Sequence, residues 1–193
     1  VRAAFAANFQ GDFAELGARF CVAVEGEIVL DLCGGHADRA RTRPFDQDTL
    51  TPVFSSTKAA AALMCAWSVG QGQMAYDQPA AQLWPALAQA GKAGLKVEQV
   101  LSHQAGLCGL REGFDPNDWF DWDGMCARLA AAEPLWPPGT ASGYHASTFG
   151  HLAGELFRRV DGRTLGRALR EELCEPLGLD LWIGLPEEQD HRV

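Results

Sequence analysis

The run Phe54-Ser-Ser-Thr-Lys-Ala-Ala-Ala-Ala-Leu-Met-Cys-Ala-Trp-Ser-Val69 decides the fold. Its Ala-rich, apolar body from Ala59 to Val69 predicts one strong helix, ended by Gly70 and Gly72. Ser55 and Lys58 stand at the head of that helix in the pattern S-x-x-K. Residues three apart on a helix share a face, so the Ser55 hydroxyl and the Lys58 amine can meet. Ser56 faces about 100° away. The helix N-terminus adds exposed N–H groups and positive potential where an oxyanion would form. A serine hydroxyl is a weak nucleophile until a base takes its proton. A lysine is that base only where burial or a nearby cation favours its neutral amine. Between Asp48 and Asp77 no other residue is charged, so Lys58 has an apolar setting of that kind. The bland alternative is a lysine snorkelling from a helix end to water. With six serines and three lysines in the chain, chance alone gives one S-x-x-K about one time in ten.

Upstream, Phe5, Phe9, Phe13 and Leu16 recur at helical spacing and predict an opening amphipathic helix, weakened by Gly11 and ended by Gly17. Phe20–Val24, a Glu25-Gly26 turn and Glu27–Cys33 then predict a hairpin closed by Gly34-Gly35. Downstream, helices are expected at Val97–Leu101, Met125–Ala132, Thr148–Val160 and Thr164–Cys174, separated by loops rich in Pro, Gly and Asp. The division expected is 1–54, a helix plus hairpin of a sheet region, and 55–193, a mainly helical lobe. A lone hairpin is marginal in water. Either helices cover it or its partner strands belong to sequence beyond Val193.

With 47% hydrophobic and 21% charged residues, the 193-residue chain has a globular composition and room for one sizeable core. A net charge of −9 argues against nucleic acid, whose phosphates need a basic surface. No apolar run is long enough to span a bilayer. Six cysteines without C-x-x-C spacing read as buried hydrophobes in a reducing compartment, and no signal peptide is visible after Val1, so a cytoplasmic location is expected. A processed or truncated start would hide such a segment.

A second stretch, Trp136-Pro-Pro-Gly-Thr-Ala-Ser-Gly-Tyr144-His-Ala-Ser-Thr-Phe-Gly-His-Leu-Ala-Gly-Glu155, delivers Tyr144 in a Pro/Gly-rich loop just before a helix. S-x-x-K is the nucleophile motif of penicillin-binding proteins and β-lactamases. Pro138-Gly139 followed by Tyr144-His145-Ala146 resembles the P-G-x-x-x-x-Y-x-N segment of β-lactamase-like enzymes and family VIII carboxylesterases. Leu101-Ser-His-Gln-Ala-Gly-Leu107 looks like the group's L-S-H-x-x-G-L loop, and Glu175-Pro-Leu-Gly-Leu179 like its P-L-G segment. The chain thus resembles the N-terminal portion of this group from about Val22 to Leu179, with its motifs in the group's order.

The resemblance implies an α/β fold of the β-lactamase/transpeptidase type, an antiparallel sheet packed with a helical lobe and the site between them. It also implies an acyl-enzyme on Ser55, with Lys58 and Tyr144 moving protons and no metal or organic cofactor. The substrate expected is a small ester. The alternatives are a β-lactamase or D-amino-acid peptidase acting on amides, and a catalytically silent binding or sensor module on the same fold. Two departures stand out. The group's Asn is Ala146 here, and no K-T-G or H-x-G follows. His145, adjoining Tyr144, is a candidate for lining the substrate pocket together with Ala146.

Other constellations carry less. No G-x-S-x-G occurs, and the five histidines show no H-E-x-x-H or i, i+4 pairing, so no metal site is expected. The aromatic-acidic run Asp115–Gly124 reads as packing on the helical lobe before it reads as a site border. Arg158-Arg159 and Glu171-Glu172 read as solvated helix faces.

Overall fold

A computed structural model of the chain describes residues 1–113 and 115–193. They fall into two compact units, Val1–Pro52 with Leu185–Val193, and Val53–Gly184. The last nine residues therefore join the N-terminal unit and leave the helical one.

In the first unit, β1 (Gly17–Val24) pairs antiparallel with β2 (Glu27–Gly35) through a two-residue turn at Glu25-Gly26. Both turn residues have positive φ, 51° and 85°, which matches the twist of a tight hairpin. A bulge between Val22 and Ala23 shifts the register. Arg19 donates to Asp31 on the neighbouring strand at 3.0 and 2.7 Å, holding the Asp31 carboxyl below the usual carboxylate range. Gly34 and Gly35 belong to the ladder, opposite Ala18 and Gly17. Their missing side chains make room for Phe9, whose ring atoms lie 3.1 and 2.9 Å from where their Cβ atoms would stand.

The opening helix, α1, covers only Arg2–Ala7. Gly11 lies at φ 83°, outside helical geometry, and Phe13 is exposed, so the expected helical stripe breaks after Phe9. Gly17 starts a strand and ends no helix. At the far end of the chain, Arg192 donates to the Asp48 carbonyl at 2.9 Å, and the Arg43 guanidinium reaches the carbonyls of His191 and Val193. These bonds staple the terminal segment to the loop after the hairpin. Among the described residues the sheet has two strands, and Ile28 and Val29 remain exposed on it.

The second unit is helical: α2 (Thr57–Gly70), α3 (Val97–Leu101), α4 (Trp122–Ala131), α5 (Phe149–Asp161), α6 (Leu165–Leu169) and α7 (Glu175–Leu177). Helix α2 buries Ala61, Met64, Cys65 and Ser68, a single stripe at i, i+3, i+4 and i+7. Helix α5 is the hub, packing against α2, α3, α4 and α6 and burying most of its length. Trp84, Leu87, Leu95, Val100, Leu129 and Leu156 fill the larger core. Met64, Phe157 and Leu169 fill a second cluster. The expected helix Thr164–Cys174 is α6 followed by a π turn, Arg170–Cys174. Pro176 has no amide to donate, and its ring crowds the carbonyl four residues earlier, favouring the wider turn.

The arginine pair of α5 is only partly a solvated face. Glu155, 1% exposed, accepts from Trp122 Nε1 at 2.9 Å, Arg158 Nε at 2.8 Å and Arg159 Nε at 2.8 Å. Burial acts to raise its pKa, but the hydrogen bonds from Arg158 and Trp122 outweigh it and hold the carboxyl below its ordinary value. A depressed carboxyl stabilises the fold above its unfolded pKa, and that contribution is lost as pH falls through the folded value. Glu155→Ala is expected to cost about 2 kcal/mol near neutrality, because both arginines stay partly solvated. Urea unfolding of variant and wild type should show this gap closing as acid protonates the carboxyl.

Candidate active site

Ser55 lies in the 3-10 turn Phe54–Ser56 that runs into α2. The turn is reached through Phe54 at φ 45°, a left-handed conformation that costs a non-glycine residue about 1–3 kcal/mol. One turn on, Lys58 Nζ donates to Ser55 Oγ at 3.2 Å and to the Ala146 carbonyl at 2.8 Å. The same ammonium stands 5.0 Å from the Tyr144 ring centre and 5.8 Å from that of Phe149. The Tyr144 hydroxyl is within hydrogen-bonding reach of the Ser55 and Lys58 side chains. Those bonds, that from Ser55 foremost, hold the phenol below its ordinary pKa. Ser55, Lys58, Tyr144 and Ala146, each singled out by sequence pattern, are thus brought to one place.

The loop ahead of α5 is shaped by close approach. A Cβ at Gly143 would sit 2.4 Å from the Trp136 ring, so only glycine fits beside it and turns the chain toward Tyr144. The loop is pinned to the Leu101–Leu107 segment by Leu135 N–H to the Gly106 carbonyl at 2.8 Å and Gly139 N–H to the Gln104 carbonyl at 3.0 Å.

His145 departs from expectation. It is fully buried, and both ring nitrogens are engaged: Nε2 accepts the Leu107 N–H at 3.0 Å, and Nδ1 lies 2.6 Å from the Gly143 carbonyl. An accepting Nε2 fixes the neutral tautomer with the proton on Nδ1, which donates to Gly143. Burial favours that neutral state by pushing the histidine pKa down. The residue braces the loop from behind and is not among the residues lining the cavity beside Ser55, because its alternation with Tyr144 turns it inward.

A cavity of about 840 Å³ opens beside Ser55 and Lys58 and runs between α2 and α5 toward Leu165 and Ile183. Ala146, Ser147, Gly150 and Trp122 contribute to its walls. Trp119 and Trp122 stack near His151, at 5.5 and 4.9 Å between ring centres, so the aromatic-acidic segment both packs on α5 and, through Trp122 and Asp123, borders this cavity. The buried thiols of Cys65 and Cys126 are pushed up to about 12, chiefly by desolvation, and behave as hydrophobes. Among the described residues no group of three or more His, Cys, Asp or Glu is placed to hold a metal ion. No helix among them is long and apolar enough to cross a membrane.

Comparison with known proteins gives this geometry its context. Residues 4–193 match the Beta-lactamase family. The chain belongs to that family. Esterase/beta-lactamase LipL of Mycobacterium tuberculosis (strain ATCC 25618 / H37Rv) is 43% identical over 184 residues, covering 95% of this chain and 42% of that protein. Esterase EstB of Burkholderia gladioli is 32% identical over 183 residues, covering 85% of this chain and 46% of that protein. Among solved structures, a penicillin-binding protein homolog from Caulobacter crescentus superposes with a TM-score of 0.95 at 62% identity, over 100% of this chain and 52% of that one. A family VIII carboxylesterase gives 0.93 at 50% identity, over 100% and 53%. The fold is therefore of the β-lactamase/transpeptidase type, and the chain spans about half the length of these relatives. The named relatives include esterases and a β-lactamase, which supports a hydrolase.

His145→Leu should leave the buried Leu107 amide without its acceptor, at about 1–3 kcal/mol, and take a donor from the partly buried Gly143 carbonyl. A lower urea midpoint, equivalent to a loss of about 1–3 kcal/mol of stability, is the expected result, and an unchanged midpoint would show that the brace carries little.

Proposed function

We propose that the protein carrying this chain is a serine hydrolase that forms an acyl-enzyme on Ser55 and acts on small esters. The observation that carries this reading is the meeting of Ser55 Oγ, Lys58 Nζ and the Tyr144 hydroxyl at the head of α2. With the lysine neutral, the 3.2 Å contact reverses direction, and Ser55 donates its proton toward Lys58. Oγ attacks the ester carbonyl, and the bond to the leaving alkoxide breaks. Tyr144 supplies that oxygen with a proton, and the alcohol departs. Water then attacks the acyl-enzyme, giving its proton to the same pair, and the carboxylic acid leaves with Ser55 restored. Hydrogen bonding from Ser55 and Lys58 lowers the phenol pKa of Tyr144, a shift in the direction that eases proton exchange with its neighbours.

Esters are favoured over amides by Ala146. Its methyl side chain offers neither donor nor acceptor, so an amide buried beside it would lack a partner at about 1–3 kcal/mol. The relative named esterase/beta-lactamase supports amide hydrolysis as the second reading, with His145 bound elsewhere and Ser147 left on the cavity wall as a polar group. A silent binding module would not require Ser55, Lys58 and Tyr144 to converge. Six free cysteines suit a reducing, cytoplasmic setting.

Fluorophosphonate labelling should mark Ser55, disappear in Ser55→Ala and persist in Ser56→Ala. Lys58→Arg should be nearly as damaging as Lys58→Ala, because a guanidinium stays protonated. Tyr144→Phe should lower kcat by roughly two to four orders of magnitude. A label on Ser56, or wild-type turnover in Tyr144→Phe, would refute the assignment. For p-nitrophenyl esters kcat/KM should far exceed that for β-lactams, and Ala146→Asn should shift the ratio toward amides.

A further inference from the structure

The L-S-H-x-x-G-L segment contributes a histidine to which the mechanism above gives no task. His103 lies at φ 63°, in the left-handed region, at the end of α3. Its carbonyl accepts the Gly143 N–H at 3.1 Å, and its ring Nδ1 accepts the His145 N–H at 3.1 Å. Those two amides flank Tyr144 on either side. The His103 ring also packs edge-on against Tyr144, 5.0 Å between centres, and lies 5.1 Å from Phe149 of α5. One residue therefore grips the backbone before and after the tyrosine and supports its ring.

We infer that His103 is a positioning residue for Tyr144, and that its grip holds only while Nδ1 is unprotonated. This rests on the reading of Tyr144 proposed above. A neutral imidazole whose Nδ1 accepts must carry its proton on Nε2, whereas an imidazolium donates from both nitrogens. On protonation the His145 amide would face an N–H, and the bond on one side of Tyr144 would be lost. The ionisable and polar neighbours agree with a neutral ring. Lys58 of α2 brings positive charge, Tyr144 brings a phenol, and His145 is held neutral by its own two bonds. Phe149 of α5 brings no charge. Burial first, and then the Lys58 charge, place the His103 pKa below the ordinary histidine value of 6.5. The sign follows directly. Above the folded pKa the ring is neutral and the clamp is closed, and as pH falls through that value the clamp opens. Stability moves the same way, since a base with a depressed pKa stabilises the fold at higher pH and loses that contribution in acid.

The test compares His103→Asn with His103→Leu in the whole protein. Asn tolerates positive φ, and its side-chain oxygen accepts near where Nδ1 did, but it does not titrate. Leu removes the acceptor. With p-nitrophenyl acetate, His103→Leu should lose about 10–100-fold in kcat, the scale of misplacing a reacting group by about an ångström, while KM changes far less. His103→Asn should keep kcat within about threefold and shift the acid limb of its pH profile to lower pH. On a Tyr144→Phe background, His103→Leu should cost little more, because the tyrosine it positions has no hydroxyl. Equal losses in the Asn and Leu variants, an acid limb unmoved in His103→Asn, or a full additional loss on the Tyr144→Phe background would each overturn the inference. Should His103→Leu fail to fold, the pH profile of His103→Asn decides alone. Wild-type labelling at Ser55 is read separately, so a failure of the hydrolase assignment is told apart from a failure of the clamp.

Discussion

A single cation on an otherwise uncharged helix sets the terms for the rest of the site. Lys58 cannot rest at the half-buried head of α2 without oxygen acceptors. It finds them in Ser55 Oγ, one turn back, and in the Ala146 carbonyl, 88 residues further along the chain. The second bond binds the start of α2 to the entry of α5, and the two helices then share a core through Met64 and Phe157. The chemistry and the packing are therefore one arrangement. Loosening the helix pair would separate the lysine from its far acceptor before it disturbed the serine, which is local to α2.

Much of this was readable from residue order. Helix α2, the hairpin and α3 follow from periodicity and from Gly26, and Gly162 and Gly178 end their helices in the left-handed conformation at φ 87° and 64°. Ser55 and Lys58 meet because a helix brings i and i+3 together, and that rule needs no tertiary information. Tyr144 was reachable only through family likeness, since nothing local says which distant loop folds over the head of α2. Other features were closed to sequence. Whether His145 faces a pocket or a core depends on which way a loop strand alternates, and Leu107 settled that from 38 residues away. The shortened α1 and the π turn before Pro176 reflect competition between neighbouring elements, where a periodic pattern alone overstates helix length. The attachment of Leu185–Val193 to the N-terminal unit rests on Arg43 and Arg192, two charges that no hydrophobic pattern marks.

Position 146 shows how a motif and a mechanism can part company. Motif comparison sees an Asn replaced by Ala and records a departure. The structure gives the same position a second duty, carried by its backbone oxygen, which every residue possesses. A side chain there is consequently free to follow the substrate, while the lysine keeps its anchor whatever the residue is. Such a division of labour lets the side chain change without cost to the lysine's anchor.

Phe54 carries a further implication. Its left-handed backbone stores energy immediately before Ser55, and its aromatic ring is largely exposed, so burial returns little of that cost locally. Such a position is a weak point under any search for thermal robustness. Glycine would relieve the torsional tension at once and would score as an improvement wherever only melting is watched, yet it would also loosen the turn that carries Ser55. Endurance and the aim of Ser55 therefore pull this one residue in opposite directions.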